Sequence, residues 1–188
     1  AKAAGLVPPD QKFRSRQQYP AAEERRVELK AGSVVLIRPT HTGDAPLLQD
    51  LFFRMRPEDV RTRFFRNLSS LTRNAAEHLT NVGYDSEMAF VAVRGERENE
   101  EVVGSAQYYV DADSGCADVA YMVDSAWQGR GLGRALDRII SDYAARHGVR
   151  AFTADVLVGN DAMLHVLTSG GDVEVRTANG IHELLVPT

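Results

Sequence analysis

Apolar and polar positions divide the chain into a polar start and a long succession of strand-like and helix-like stretches. Residues 34–37 (VVLI), closed by Pro39, are the first expected strand. Leu47, Leu48, Leu51 and Phe52 recur at helical spacing behind Asp44, whose short acidic side chain suits a helix N-cap. Pro57 opens a second helix, PEDVRTRFF, with Glu58 and Asp59 in the first turn, where the helix dipole favours acid. A third helical stretch is expected over 73–79. Two β-rich runs follow, 88–93 and 102–110, separated by the charged loop GERENEE. A further apolar run, 119–123 (VAYMV), leads into a glycine-rich turn. Behind it comes a long helix with Leu132, Leu136, Ile139, Ile140 and Tyr143 on one face. Gly148 is placed to end that helix. A strand over 152–158, a helix over 160–168 and two strands hinged at Asn179 and Gly180 come next. Strands around one β-α-β crossover, with hairpins on either side, predict an α+β domain with a mixed sheet flanked by helices.

Composition narrows this picture. A chain of 188 residues with 44% hydrophobic content suits one domain with a sizeable core. Residues 1–26 carry Pro8, Pro9 and Pro20 with little apolar periodicity and read as a linker or arm. A net charge of −4 argues against a general nucleic-acid-binding surface. Arg61, Arg63 and Arg66 read as a solvated helix face, whereas Arg130, Arg134 and Arg138 flank the glycine turn. The single cysteine, Cys116, excludes an internal disulfide and any cysteine-based zinc site, and the five histidines have no metal-ligand spacing. No bound metal is expected. Without a membrane span or signal peptide, and with cysteine this scarce, a cytoplasmic location is expected.

The turn itself carries the chemistry. Gln128, Gly129, Arg130, Gly131, Leu132, Gly133 and Arg134 stand between a strand and a helix start. The first N–H groups of a helix lack partners inside it, and the aligned dipoles place partial positive charge there. Glycines remove the β-carbons that would hold an anion away from those groups. Alternate glycines fit neither G-x-G-x-x-G nor G-x-x-x-x-G-K-[ST]. A pyrophosphate cradle of another kind is expected, against the plainer reading of a packing turn.

QGRGLG resembles the coenzyme A loop of the GCN5-related N-acetyltransferases (GNAT), whose signature is Q/R-x-x-G-x-G/A, and the resemblance covers roughly 33–188. It implies the GNAT fold, with a mixed sheet of six to seven strands and a strand–Gly-loop–helix coenzyme A site. RPEDVRTRFF and LTNVGYDSEMAFVAV narrow it to the acetyltransferase domain of Pat-type protein lysine acetyltransferases, bacterial enzymes often built as one domain of a longer chain. Residues 1–32 are then expected to be a linker or N-terminal arm from an upstream coenzyme A-using domain, with Gln18–Tyr19–Pro20 as the connection, and 33–188 the acyltransferase domain. The absence of an initial Met fits an excised module.

The resemblance also implies roles. Backbone N–H groups of Arg130 through Arg134 would hold the pyrophosphate, with Gln128 at the loop's entrance. Met122 and Val123 would pair with the pantetheine arm and the thioester carbonyl. Asn160, with Met163 three residues on, matches a pantetheine-binding Asn. A lysine acceptor is mostly protonated at neutral pH and needs a base. Pat-type domains place a Glu in an A-E-F-A context where this chain has Ala117-Asp118-Val119-Ala120, so Asp118 is the candidate base or water-positioner, or else a polar residue at a strand end. Asp113 is a weaker candidate because it lies in a turn. Many members of the fold carry a proton-donating Tyr where Leu167 stands here, and their usual Gly-Phe is Gly171–Asp172.

Acetyl transfer from acetyl-CoA to a protein lysine is the expected activity. A small-molecule amine acetyltransferase and a non-catalytic acyl-CoA-sensing domain stay open. Trp127 reads as a packing lid, His165 as core or rim, Phe64 and Phe65 as cover for the acceptor side, and Tyr84 and Asp85 as groove lining or turn caps. Cys116 has no His partner at a recognisable spacing for nucleophilic work.

Overall fold

The computed structural model describes residues 18–64 and 69–188. The strands are β1 (Arg25–Glu28), β2 (Val34–Pro39), β3 (Glu87–Arg94), β4 (Glu101–Val110), β5 (Ala117–Val123), β6 (Ala151–Leu157), β7 (Glu174–Ala178) and β8 (Ile181–Pro187). The helices are α1 (Ala45–Arg54), α2 (Pro57–Phe64), α3 (Arg73–Thr80), α4 (Leu132–Arg146) and α5 (Asp161–Thr168). One sheet runs in the order β1-β2-β3-β4-β5-β6-β8-β7. Every neighbouring pair is antiparallel except β5 and β6, which are parallel across the α4 crossover. The α+β class and the mixed sheet are as the pattern predicts.

Helices cover the sheet on both faces. Ile37, Phe90, Val103, Leu136, Ile140 and Phe152 pack between the sheet and α4. Leu48, Leu51, Phe52, Val91, Val102 and Met122 form the core under α1 to α3. Asn179 and Gly180 both take positive φ (53° and 77°), the geometry of the tight β7–β8 turn read from the dipeptide.

The sheet has eight strands among the described residues, where six to seven were expected, and it begins earlier. β1 has the sequence RRVE, with one apolar residue and no legible alternation, yet it pairs with β2 from Arg25↔Ile37 to Glu28↔Val34. The following Leu29 is buried in the core. The segment expected to be an arm, 1–32, therefore contains a strand and a core residue. Its first seventeen positions lie outside the described residues.

Asp44 stands at the N-cap position of α1 but makes no side-chain cap bond there. Its carboxylate, fully buried, instead accepts two hydrogen bonds from Arg38 at 2.8 and 2.7 Å and one from the His41 N–H at 3.0 Å. A buried guanidinium has a stronger claim on a carboxylate than two amides of a short turn do.

Two features place the site. β5 and β6 pair at only two positions, Ala117↔Phe152 and Asp118↔Thr153, and then diverge, opening a wedge in the sheet. Beside it, a Cβ on Gly104 of β4 would stand 3.1 Å from side-chain carbons of Leu132 and Leu136 and 3.2 Å from the Met122 carbonyl oxygen. A side chain there would push the first turn of α4 off the sheet.

Candidate active site

The wedge opens into a cleft of about 590 Å³. Asp118, Met122, Val123, Gln128, Gly129, Gly131, Leu132, Gly133, Arg134 and Asn160 line it together. Of the residues assigned to the cofactor, Arg130 alone does not. Its guanidinium lies 4.9 Å above the Trp127 ring instead, and Trp127 forms part of the wall.

The Asp124 N–H donates to the Val103 carbonyl on β4. Main-chain direction alternates with period two along a strand. Met122, Ala120 and Asp118 therefore point their main-chain groups at β4, while Val123, Tyr121 and Val119 point theirs into the wedge. Where β6 no longer pairs, those groups are available to an extended ligand. Met122 contributes a buried side chain to the lining, and Val123 the open main-chain edge.

The glycines of the turn divide into two kinds. Gly129 (φ 74°) and Gly131 (φ 88°) hold left-handed backbone. Nothing stands within 4 Å of an added Cβ at Gly129, and only the Lys30 Cγ, at 3.8 Å, at Gly131. Gly133 is helical and admits α5 closely, with Val166 Cγ2 at 3.4 Å. The N-cap of α4 is Gly131, so no side chain caps its first N–H groups. An uncapped start to a helix of 15 residues, with open space above it, fits an anionic pyrophosphate. Among the described residues no cluster of three or more His, Cys, Asp or Glu is arranged to hold a metal ion.

Side chains from α1 and α2 lock the entrance to this loop. Arg54 Nε donates to Asp124 at 2.8 Å, and Asp124 caps the turn through the Ala126 N–H at 2.9 Å. Arg56 Nη2 donates to the Gln128 side-chain oxygen at 3.0 Å. Ser125 Oγ donates to Asp59 at 2.7 Å and accepts from the Arg56 N–H at 2.9 Å. Gln128 thus joins the loop to the residue that precedes α2. On the other flank Asn160 caps α5 by accepting the Met163 N–H at 3.3 Å.

Asp118 lies at the mouth of the wedge, exposed, with Thr153 Oγ1 donating to its Oδ1 at 3.4 Å. Partial burial of the carboxyl and the neighbouring Asp155 charge raise its pKa above the ordinary carboxylate value, opposed by Thr153 and by Arg63. Arg63 overturns its expected role on a solvated face. Its Nε is buried, it lines the cleft, and it is electrostatically coupled to Asp118 and Tyr109. Arg61 is exposed, while Arg66, Phe65 and the side chain of Phe64 lie outside the described residues.

Other candidates separate from the site. Asp113 lies in an exposed turn and donates its N–H to Asp111, and Cys116 immediately precedes β5, outside the cleft lining. His165 is at the rim. Tyr84 takes a positive φ of 60° and donates its hydroxyl to the Thr40 carbonyl, serving its turn. Leu167 is buried in the cleft wall.

Lys30, Asp59 and Asp155 line the cleft without having been singled out. Asp155 was within reach of sequence reasoning, because Thr153 and Asp155 alternate with apolar neighbours in FTADV and so share the face of Asp118. Lys30 carried no such signal.

The acetyltransferase (GNAT) family model matches residues 48–170. An acetyltransferase of Pseudomonas aeruginosa, PA5475, is 28% identical over 148 residues, spanning 79% of this chain and 80% of that protein. Acetyltransferase Pat of Mycolicibacterium smegmatis is 28% identical over 156 residues, 82% of this chain, which spans only 46% of Pat's own length. The crystal structure of the GNAT domain of S. lividans PAT is similar with a TM-score of 0.83 at 26% identity, covering 91% of this chain and 100% of that one.

Proposed function

The chain belongs to the acetyltransferase (GNAT) family, and from that premise we propose that it transfers an acetyl group from acetyl-CoA to the side-chain amine of a protein lysine, by direct attack in a ternary complex. The observation that carries this reading is the wedge between β5 and β6, with an uncapped helix start at one end and a carboxylate at its mouth. Lysine as the acceptor is what the Pat-type sequence resemblance implies, and acetyltransferase Pat and the GNAT domain of S. lividans PAT are among the proteins similar to this chain. The exposed side chains of Thr153, Asp155 and Glu183, on the sheet face beside Asp118, leave room for a polypeptide.

Acetyl-CoA, when bound, supplies an acyl carbon already activated as a thioester. The chain's own groups do the rest. Main-chain N–H groups from Arg130 to Arg134 hold the pyrophosphate. Asn160 holds the pantetheine. The open edge at Tyr121 and Val123 offers N–H groups to the thioester oxygen, where negative charge develops as the amine attacks. Asp118 takes the proton of the incoming ammonium, directly or through one water. Apolar Leu167 offers no proton to the departing sulfur. A thiolate is a good leaving group and departs without a strong acid.

The test begins with calorimetric titration of acetyl-CoA into the wild type and into Gly131→Glu, which places a carboxylate in the cradle. Binding by the wild type alone is expected. Thiol release is then followed with lysine peptides, polyamines and aminoglycosides. Turnover on peptides that Asp118→Asn lowers about 100-fold supports the proposal. Turnover confined to small amines makes this a small-molecule acetyltransferase. Tight binding with no turnover on any acceptor makes it an acyl-CoA-sensing domain, and Asp118→Glu then tests whether one methylene restores catalysis.

A further inference from the structure

We propose that Lys30, at the corner between β1 and β2, belongs to the cofactor site and supplies a positive charge to the pyrophosphate of coenzyme A. The inference rests on the acetyl-CoA reading above but not on the identity of the acceptor.

The corner is held in place by its own backbone. The Lys30 N–H donates to the Arg130 carbonyl at 3.1 Å, so the corner is bonded directly to the glycine loop. The Leu29 N–H donates to the Ser33 carbonyl at 2.7 Å, closing the turn, and the Leu29 side chain is buried in the core. Between them Ala31 and Gly32 both take left-handed backbone, with φ of 65° and 76°. For Ala31 that conformation is strained and persists only where the surroundings enforce it.

The side chain leaves this corner over the loop. Lys30 Cγ lies 3.8 Å from the point a Cβ on Gly131 would occupy, and Lys30 lines the same cleft as Gly129 and Gly131. Three further atoms, Cδ, Cε and Nζ, give the ammonium its reach. Of the loop's two arginines, Arg134 lines the cleft from the first turn of α4, whereas Arg130 has its guanidinium over Trp127 and does not line it. Lys30 forms no ion pair among the described residues. A lysine is a compact point charge on a flexible stem, suited to a phosphate whose oxygens also bond main-chain N–H groups.

The test measures binding of coenzyme A and of dephospho-coenzyme A, which lacks the 3′-phosphate but keeps the pyrophosphate. It uses the full chain as wild type, Lys30→Gln and Lys30→Arg. Gln preserves most of the stem and the main-chain bond to Arg130. Lys30→Gln is expected to weaken both ligands about 5- to 10-fold, with Lys30→Arg within about twofold of wild type. The gap should narrow as ionic strength rises and screening sets in. Three outcomes overturn the proposal: Lys30→Gln binding like wild type, Gln and Arg variants losing affinity alike, or a loss seen with coenzyme A but absent with dephospho-coenzyme A. A wild type that binds neither ligand removes the acetyl-CoA reading itself, and the proposal with it.

Discussion

Asp118 is pulled in two directions by its neighbours. Partial burial and the Asp155 charge raise its carboxyl pKa, while Thr153 and Arg63 lower it. A base works only when ionised, so in the proposed reaction the acidic limb of kcat/KM follows this carboxyl and lies above the ordinary carboxylate range. Replacing Asp155 with Asn removes a like charge and is expected to move the limb to lower pH. Arg63→Met removes an opposite charge and is expected to move it higher. A pH series of initial rates for the three proteins checks both signs, and equal limbs would exclude Asp118 as the titrating base. The same raised pKa has a stability consequence. The folded chain holds the proton to higher pH than the unfolded one, so the benefit is complete below the unfolded pKa and is lost as pH rises through the folded value. Asp118→Asn should therefore raise Tm at neutral pH while it removes activity. Asp44 gives the opposite case, a carboxylate whose work is structural. As a helix cap its loss would cost about 1 kcal/mol. As the bidentate partner of a buried arginine, its replacement by Ala is expected to cost about 3–5 kcal/mol, because buried Arg38 then keeps only the partly exposed Glu100, at 3.8 Å, as an ionic partner. Urea denaturation of Asp44→Ala distinguishes the two values.

Among the elements, the start of α4 and the end of β5 must stay in register for the loop to face the wedge. Gly104 sets that spacing from a third element, β4, and nothing in the run EVVGSAQYYV marks it, since a glycine in a strand reads as weakness rather than as a docking point. Adding a Cβ at 3.1 Å from two leucine methyls overpacks the contact. Gly104→Ala is expected to cost about 1–3 kcal/mol and to weaken acetyl-CoA binding about 10-fold through displacement of α4. Calorimetry with acetyl-CoA, beside thermal melts, separates the two effects. If binding holds while stability falls, the loop does not depend on this contact. The glycine turn, by contrast, was legible, because Gly129 and Gly131 need left-handed backbone and the flanking strand and helix announce themselves by period. Arg63 departs from the sequence expectation for a plain reason. Charge at helical spacing ordinarily faces water, and only the packing of α2 over the mouth of the wedge turns this one inward.

For the whole molecule, the order of elements from β2 to β8 could be read from alternation and turn chemistry, and the loop, Asp118 and Asn160 lay at the junctions so identified. What lay hidden is long-range. Asp155 and Asp118 meet only because parallel strands from either side of α4 are brought together, and Lys30 meets Gly131 only because β1 folds back on β2. The short strand RRVE is the sharpest instance, since its pairing is decided by an exposed edge of β2 and not by its own composition. A boundary at 32/33, natural from the proline-rich start, would then cut through the working unit. A chain beginning at Ser33 loses β1, the buried Leu29, the Glu23 partner of Arg146 at 2.8 Å and the Lys30 bond to the loop. Burial of one leucine and a short ladder together amount to about 3–5 kcal/mol, or a fall in Tm of about 6–20 °C for a domain of this size. Lost stability and lost affinity have different origins here. At a temperature where both chains are folded, the shortened one is still expected to bind acetyl-CoA about 10-fold more weakly, since the corner that carries Lys30 is gone. Melting curves and calorimetry on the two chains decide this: equal Tm and equal affinity would restore the boundary at Ser33 and reduce β1 to an ornament of the edge.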